Sequence, residues 1–327
     1  MLTLDQIRKP IAEELKAFDE FVAKEFQSEN PLIQLMLNDA MSSRGKGVRP
    51  TIVMLCAAMN SPQNIVGRRA WVAAMMIEMI HLSSLIHDDV IDSADTRRGR
   101  PSLNALWQSK RAVITGDYIL ARNISIGLSS GQIDIVTHVV KAIAILCEGE
   151  IIQDDCARRQ ESSREEYLNV IAKKTASLIS ISASVGAISA RAPHNRVEEM
   201  KQFGQAIGMA FQIQDDILDY TPSAQTGKPI NNDLREGKIT LPLLAILEQG
   251  DVELNSRIKT LLSKCGTDDT AVEELQQIVT EGRGVEFARE VMGGYVTKAV
   301  AILSEYPESE YRTALINLCA FITQRNN

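Results

Sequence analysis

LIHDDVIDSADTRRGRPS, residues 85–102, sets Asp88, Asp89 and Asp92 at the end of an apolar run and follows them with Arg97, Arg98 and Arg100. At about 100° per residue, Ile77, His81 and Ser84 fall within about 40° of Asp88, and Asp92 lies about 40° to the other side. One helix would then carry a stripe running from an apolar floor, through a histidine and a small hydroxyl, to two carboxylates. A helix that only packs against its neighbours has no use for such a stripe, whereas one facing inward would line a cavity with an acidic mouth. A single DDxxD reads more simply as a solvated helix end.

The pattern occurs twice. FQIQDDILDY, residues 211–220, repeats it as Asp215, Asp216 and Asp219, and Met200, Phe203, Ile207 and Phe211 share a helix face with Asp215. Two acidic clusters at the ends of two buried helices would repel each other in a low-dielectric interior unless cations lay between them. Magnesium suits that role, because it takes oxygen ligands and is commonly held by one or two carboxylates together with substrate phosphates. A diphosphate bridging the clusters is the economical hypothesis. Arg97, Arg98, Lys173, Lys174, Lys228, Lys238, Lys46 and Arg49 fall in loops and helix ends where they could surround phosphates.

Outward from these clusters the chain reads as helix nearly everywhere. Leu4, Ile7, Ile11, Leu15, Phe18 and Val22 recur at threes and fours, and strand-like alternation is almost absent. No proline occurs between Pro101 and Pro193, and that segment predicts long helices at about 110–128, 132–158 and 164–190, broken by SSG and SSR turns. SSRGKGVRP (42–50) and TPSAQTGKPINNDLREGK (221–238) read as functional loops. With no compositional break, residues 1–327 are expected to form a single all-α domain, a large helical bundle around a central cavity. DDCARRQ (154–160) lacks a third aspartate and reads as a solvated helix segment.

Of the 327 residues 45% are hydrophobic and 24% charged, which suits a globular protein with a substantial core and excludes disorder. The net charge of −7 argues against a general nucleic-acid or anionic-membrane surface, so any anionic ligand must be held locally. Cys56, Cys147, Cys156, Cys265 and Cys319 are odd in number and never in a CxxC pair, indicating neither a disulfide framework nor a zinc site, and a cytoplasmic location is expected. The N-terminus reads as an amphipathic helix, and the most apolar run, WVAAMMIEMI (71–80), is cut by Glu78, so no membrane-spanning segment is expected.

Taken in order, GKGVRP (45–50), HLSSLIHDDVIDSADTRRGRPS (81–102), GEIIQ (149–153), KKTASL (173–178), FQIQDDILD (211–219) and GKPINNDLREGKITLPL (227–243) resemble the trans-isoprenyl diphosphate synthases, the polyprenyl synthetase family, and most of all its long-chain, octaprenyl-type bacterial members. The resemblance covers about Gly45 to Leu244. It implies an enzyme that condenses an allylic diphosphate with isopentenyl diphosphate, adding one isoprene unit per turn and releasing pyrophosphate. It also implies three magnesium ions and a homodimer. By the same resemblance Asp88, Asp92 and Asp215 would bind magnesium directly, and Asp89, Asp216 and Asp219 through water or neighbouring groups. Arg97, Lys174, Lys228 and Lys238 would grip the allylic diphosphate. Lys46, Arg49, His81 and Arg98 would hold isopentenyl diphosphate in a metal-free pocket, with Thr175, Phe211 and Gln212 nearby. His87, His138 and His194 need no catalytic role, since the departing pyrophosphate is the base in this family.

The chain departs from the family pattern in two motifs. The usual GGKRxRP has Arg44 in place of its first glycine and Gly47 in place of its first arginine, and Asn231 stands where a loop glycine is common. Product length is implied by the residues four and five positions before the first aspartate, where a bulky side chain blocks the elongating product; here they are Ser84 and Ser83. Ile80, Ile77 and Met76 stand further down, and Ile77 lies about 16 Å below Asp88, which predicts a long product of about six to nine isoprene units. A shorter farnesyl or geranylgeranyl product is the alternative. A class I terpene cyclase would share the aspartate-rich helix, but its second metal motif mixes Asn, Ser or Thr with Glu, unlike DDILD. A non-catalytic partner subunit would be expected to have lost one cluster, and both are intact.

Overall fold

Short polar residues set where several helices begin. Thr3 and Gln6 form a capping box at α1 (Leu4–Arg8), and a 3-10 turn at Lys9–Ile11 leads into α2 (Ala12–Glu25). The Asn30 side chain accepts from the amides of Leu32 and Ile33 while Pro31 fills the first position of α3 (Pro31–Ser42). The helices α4 (Val48–Asn60) and α5 (Arg68–Ile91) follow. A minimal antiparallel ribbon then pairs Thr96–Arg97 with Arg100–Pro101 and delivers the chain to Ser102, the cap of α6 (Leu103–Ser129). Next come α7 (Ile133–Arg159), α8 (Arg164–Ile171), a π-helical turn at Ala172–Ala176, and α9 (Ser177–Ser189). The chain continues through α10 (His194–Tyr220), α11 (Asn232–Arg235), α12 (Leu241–Leu247) and α13 (Val252–Leu262). It ends with α14 (Asp269–Glu281), α15 (Gly284–Ser304) and α16 (Glu310–Gln324). This computed structural model describes residues 2–221, 231–249 and 251–324.

The fold is all-α, as the helical spacing predicts. Its centre is made by α4, α5, α9 and α10. The helices α5 and α9 are apolar around most of their circumference and buried along most of their length. In α9 the buried hydroxyls of Ser182, Ser184 and Ser189 donate back to the carbonyls of Leu178, Ile181 and Gly186, so they cost the core no unpaired donor. Two glycines allow the approaches that shape the centre. A Cβ on Gly208 of α10 would lie 2.6 Å from Ala176 Cα, and one on Gly149 of α7 would lie 2.6 Å from the Lys174 backbone nitrogen. The π turn is thereby pressed between α7 and α10. One large apolar cluster surrounds the centre, and a second, built around Ile213, Leu243 and Leu275, gathers α12, α14 and part of α15; α10 contributes to both.

Several sequence-based boundaries shift. The helix predicted to begin at about 110 begins at Leu103, with a break at Gln108, where φ is 67° and ψ 157°. The helix predicted over 164–190 is interrupted by the π turn. The 42–50 loop is shortened because α4 starts at Val48, and the described end of the 221–238 loop contains α11. Contrary to the expectation from WVAAMMIEMI, Arg68–Ile91 is long and apolar enough to cross a bilayer by length and composition. Yet 72% of its most apolar window is buried inside the protein, so it is the core helix.

Candidate active site

The ends of α5 and α10 face a shared cavity of about 860 Å³. Asp88 and Asp92 reach it from α5 and Asp215 from α10; Arg97 comes from the ribbon, Lys174 and Thr175 from the π turn, and Lys238 from beyond α11. The wall contributed by α7 carries Glu150 and Gln153. The lining also includes the apolar Leu85, Leu146 and Leu178. Burial, reinforced by Glu150 and Asp92, pushes the Asp88 carboxyl up to about 6. Neither Asp88 nor Asp92 forms an ion pair among the described residues.

The other three aspartates point elsewhere. Asp89 is buried and accepts from Arg97 Nε at 2.8 Å and from Arg97 Nη2. Asp216 is buried between the Tyr167 hydroxyl, which donates at 2.6 Å, and Gln212 Nε2, which donates at 2.9 Å. Burial holds the Asp216 carboxyl well above the usual carboxylate range, with Asp233 adding to the effect. Asp219 accepts from the backbone amides of Asn232 and Asp233, each at 3.1 Å, and so ties the end of α10 to the start of α11. Asn231, at the position of the departed glycine, has φ 63°, a left-handed conformation that asparagine tolerates better than most residues.

Of the predicted phosphate-binding cations, Arg49, Arg97, Lys174 and Lys238 line the same cavity, whereas Lys46, Arg98 and Lys173 are not part of its lining. Lys174 Nζ donates to Glu150 Oε2 at 2.7 Å and to Gln153 Oε1 at 2.6 Å, and its charge also acts on Asp88. Thr175 Oγ1 donates to Gln212 Oε1 at 2.7 Å and joins the π turn to the Asp216 network. Burial pulls the Lys238 ammonium down, but its pairing with Glu236 leaves it above the usual lysine value. Lys173 turns to Glu148 at 2.8 Å, and Lys228 lies outside the described residues. On the opposite side Arg49 and His81 line the cavity beside Phe211 and Gln212. Burial lowers Arg49 to about 10, and burial together with Arg49 and Arg98 keeps His81 neutral by holding its pKa well below the usual value. Arg98 Nη1 donates to the Ser43 carbonyl at 2.7 Å, and Lys46 is exposed on the loop below it.

The two serines separate. Ser84 lines the cavity, its hydroxyl turned back to the His81 carbonyl at 2.9 Å. Ser83 is buried against α6 and donates to the Gly116 carbonyl at 2.9 Å. Ile80 and Ile77 are buried in the core below.

An oxygen-only donor set fits magnesium. Among the described residues no three Asp, Glu, His or Cys side chains converge closely enough to hold an ion by themselves. An ion carried by one or two carboxylates and completed by water and phosphate oxygens does not need such a cage. The raised Asp88 carboxyl fits the same picture, because a divalent cation beside it would relieve the crowding of negative charge.

The polyprenyl synthetase family model matches residues 30–281. The chain is 36% identical over 321 residues to "Heptaprenyl diphosphate synthase component 2" of Geobacillus stearothermophilus, covering 97% of each chain. This chain belongs to the polyprenyl synthetase family. Another member, the octaprenyl diphosphate synthase of Escherichia coli, is 30% identical over 99% of this chain and 100% of its own. The crystal structure of a decaprenyl diphosphate synthase from Rhodobacter capsulatus superposes with a TM-score of 0.92 at 30% identity, covering 99% of this chain and 100% of that one.

Within this polyprenyl synthetase site, sequence reasoning gave no role to Glu150, Gln153, Tyr167 or Asp233. Glu150 and Gln153 were within reach of it, since a spacing of three puts both on one face of α7 in the quoted GEIIQ. Tyr167 and Asp233 meet Asp216 only through tertiary packing. His87 lies against α6, with its Nε2 3.3 Å from the Val113 carbonyl, and His138 is an exposed side chain on its own helix. Asp154 and Arg158 of DDCARRQ form an exposed ion pair at 2.9 Å on the cavity rim.

Proposed function

We propose that the protein is a trans-prenyltransferase that condenses an allylic diphosphate with successive isopentenyl diphosphate units, releases pyrophosphate and makes a long-chain all-trans polyprenyl diphosphate. The carrying observation is one cavity lined by Asp88, Asp92 and Asp215, by Lys174, Arg97 and Lys238, and by Ser84 with the apolar Leu85, Leu146 and Leu178. The relatives named above, heptaprenyl, octaprenyl and decaprenyl diphosphate synthases, favour a long product.

Asp88, Asp92 and Asp215 would hold magnesium, with Asp89, Asp216 and Asp219 keeping their neighbours in place. Magnesium, when bound, would supply charge neutralisation of the diphosphate. Arg97, Lys174, Lys228 and Lys238 would grip the allylic diphosphate and take up negative charge as its carbon–oxygen bond breaks. The electron pair of that bond leaves with pyrophosphate. The isopentenyl double bond then attacks the allylic carbon, and loss of a proton to pyrophosphate restores an alkene. Neutral His81, Lys46, Arg49 and Arg98 would orient isopentenyl diphosphate, with the Thr175–Gln212 pair and Phe211 between the two substrates.

The same reading takes residues 1–327 as one helical domain, which is supported by the share of α10 in both apolar clusters. It takes the protein as soluble, cytoplasmic and homodimeric. Exposed Ile114 and Leu128 of α6 and Ile133, Val140 and Ile151 of α7 supply apolar surface of the kind a subunit interface covers. Purified protein incubated with farnesyl diphosphate, labelled isopentenyl diphosphate and magnesium should yield long polyprenyl diphosphates, and Asp88→Ala should yield none. Cyclic hydrocarbon would refute the reading, and turnover only with a second protein would make the chain one component of a two-part enzyme.

A further inference from the structure

Arg8, the last residue of α1, is built into the basic loop that precedes α4. Its Nη2 donates to the Lys46 carbonyl and its Nε to Thr51 Oγ1 at 2.8 Å, and the Thr51 hydroxyl donates in turn to the Gly47 carbonyl at 2.8 Å. A Cβ on Gly47 would lie 3.3 Å from Arg8 Nη2. The guanidinium therefore stands against a loop position that has no side chain of its own. Arg98 does the same on the other side of Lys46, where a Cβ on Gly45 would lie 2.6 Å from its Nη2. Two guanidinium groups from distant segments thus flank the short loop that carries Lys46.

The local charge is lopsided. Arg8, Arg44, Lys46, Arg49 and Arg98 gather here, whereas the carboxylates facing Arg8 are Asp5, Asp19 and Glu78. Asp19 is largely exposed, and Glu78 is buried 3.9 Å from Arg44. Arg49 Nε and Arg44 Nε are buried without a hydrogen-bond partner among the described residues. Burial lowers Arg8, Arg49 and Arg98 alike. Arg8, Arg44 and Arg49 are partly buried and Arg98 is exposed, and so crowded and incompletely paired a cluster of guanidinium groups suits a polyanion with several acceptor oxygens.

We propose that Arg8 is a positioning residue for the diphosphate of isopentenyl diphosphate: it fixes the Lys46–Gly47 backbone and adds its charge where the loop carries no side chain. This assignment rests on the prenyltransferase reading. Lys174 and Lys238, assigned to the allylic diphosphate, pair with Glu150, Gln153 and Glu236 rather than with this loop.

The test is binding of isopentenyl diphosphate without magnesium, by calorimetry, together with both Michaelis constants, for wild type, Arg8→Gln and Arg8→Lys. Arg8→Gln keeps a donor for the loop but loses the charge. It should weaken isopentenyl diphosphate by about tenfold or more while leaving the allylic KM within about twofold, with Arg8→Lys in between. A structural role alone would shift the thermal midpoint with isopentenyl diphosphate binding unchanged, or would shift both Michaelis constants equally, and either result would overturn the assignment. So would an unchanged isopentenyl KM. If Arg8→Gln does not fold, Arg8→Lys decides by the same selectivity. Wild type that binds isopentenyl diphosphate through Arg8 without elongating it overturns the prenyltransferase reading alone. Wild type that elongates, with Arg8→Gln indistinguishable from it, overturns the Arg8 assignment alone. Wild type that does neither overturns both.

Discussion

Arg97 is held by Asp89, eight positions earlier in the chain, with Nε 2.8 Å from the carboxylate oxygen that also accepts from Nη2. Adjacent aspartates thus divide the labour: Asp88 faces the cavity, and Asp89 turns into the protein to set the angle of an arginine that faces it. A step of one residue on a helix rotates the side chain by about 100°, so two neighbours cannot share one task.

Asp89→Ala should therefore act as a loss of aim. We expect kcat/KM for the allylic diphosphate to fall by about 10–100-fold, with a smaller change in the magnesium concentration giving half-maximal rate. Asp88→Ala should remove turnover altogether. Steady-state kinetics at varied magnesium separates the two; an Asp89 variant whose only defect is in magnesium affinity would show that this carboxylate works on the ion instead.

The Tyr167 hydroxyl has the corresponding place at the second cluster. Tyr167→Phe removes one of the two side-chain donors to a buried carboxyl and should destabilise the fold by about 1–3 kcal/mol. Urea titration should show a lower midpoint at an unchanged m-value. An unchanged midpoint would mean that the hydrogen bond adds nothing to the fold.

The Asp88 carboxyl is raised from 3.8 to about 6, so the folded protein binds its proton more tightly than the unfolded chain. Its contribution to the stability of the ion-free protein is present at low pH and is lost as pH rises from about 4 through about 6. A divalent cation requires the carboxylate, so the sign reverses for ion binding. The rise in thermal midpoint given by magnesium with pyrophosphate should be larger at pH 8 than at pH 5.5. Asp88→Asn should flatten that difference, and an equal rise at both values in the wild type would exclude Asp88 as the titrating ligand.

Gln108 sits exposed at the break in α6 with φ 67° and ψ 157°, a region occupied almost only by glycine, at a strain of order 1–3 kcal/mol for other residues. Glycine would release that strain and give back about 0.5–1 kcal/mol through the greater freedom of its unfolded chain. Gln108→Gly should thus stabilise by about 1 kcal/mol, while Gln108→Ala should not. Equal urea midpoints for the two variants would refute the strain.

The features legible in the sequence were those carried by local pattern. Asp88 with Asp92, and Asp215 on the face of Phe203 and Ile207, announce two acidic helix ends because charge and period lie within a few residues. Ser102 after Pro101 also marks a helix start, yet the break at Gln108 splits the period and moved the expected boundary to about 110. Whatever depended on which neighbour a side chain meets stayed hidden. Nothing near Asp216 names Tyr167, 49 positions away, and nothing in the 42–50 loop names Arg8, 38 positions before Lys46. The π turn at Ala172–Ala176 has no distinctive composition, and it is Gly149 and Gly208 on other helices that make room for it.

Ser83 and Ser84 read alike in sequence as small residues above a deep floor, but the fold gives them different tasks. Ser84 lines the cavity, so Ser84→Phe puts a ring into the path of the growing chain and should shift products to fewer isoprene units while turnover continues. Ser83 lies on the other side of α5 with its hydroxyl on the Gly116 carbonyl, where a ring has nowhere to go. Ser83→Phe should destabilise by about 1–3 kcal/mol through overpacking, without a graded change in product length. Chromatography of the products beside urea titration of both variants tests the pair. Shortening by Ser83→Phe and none by Ser84→Phe would place the growing chain on the α6 side of α5.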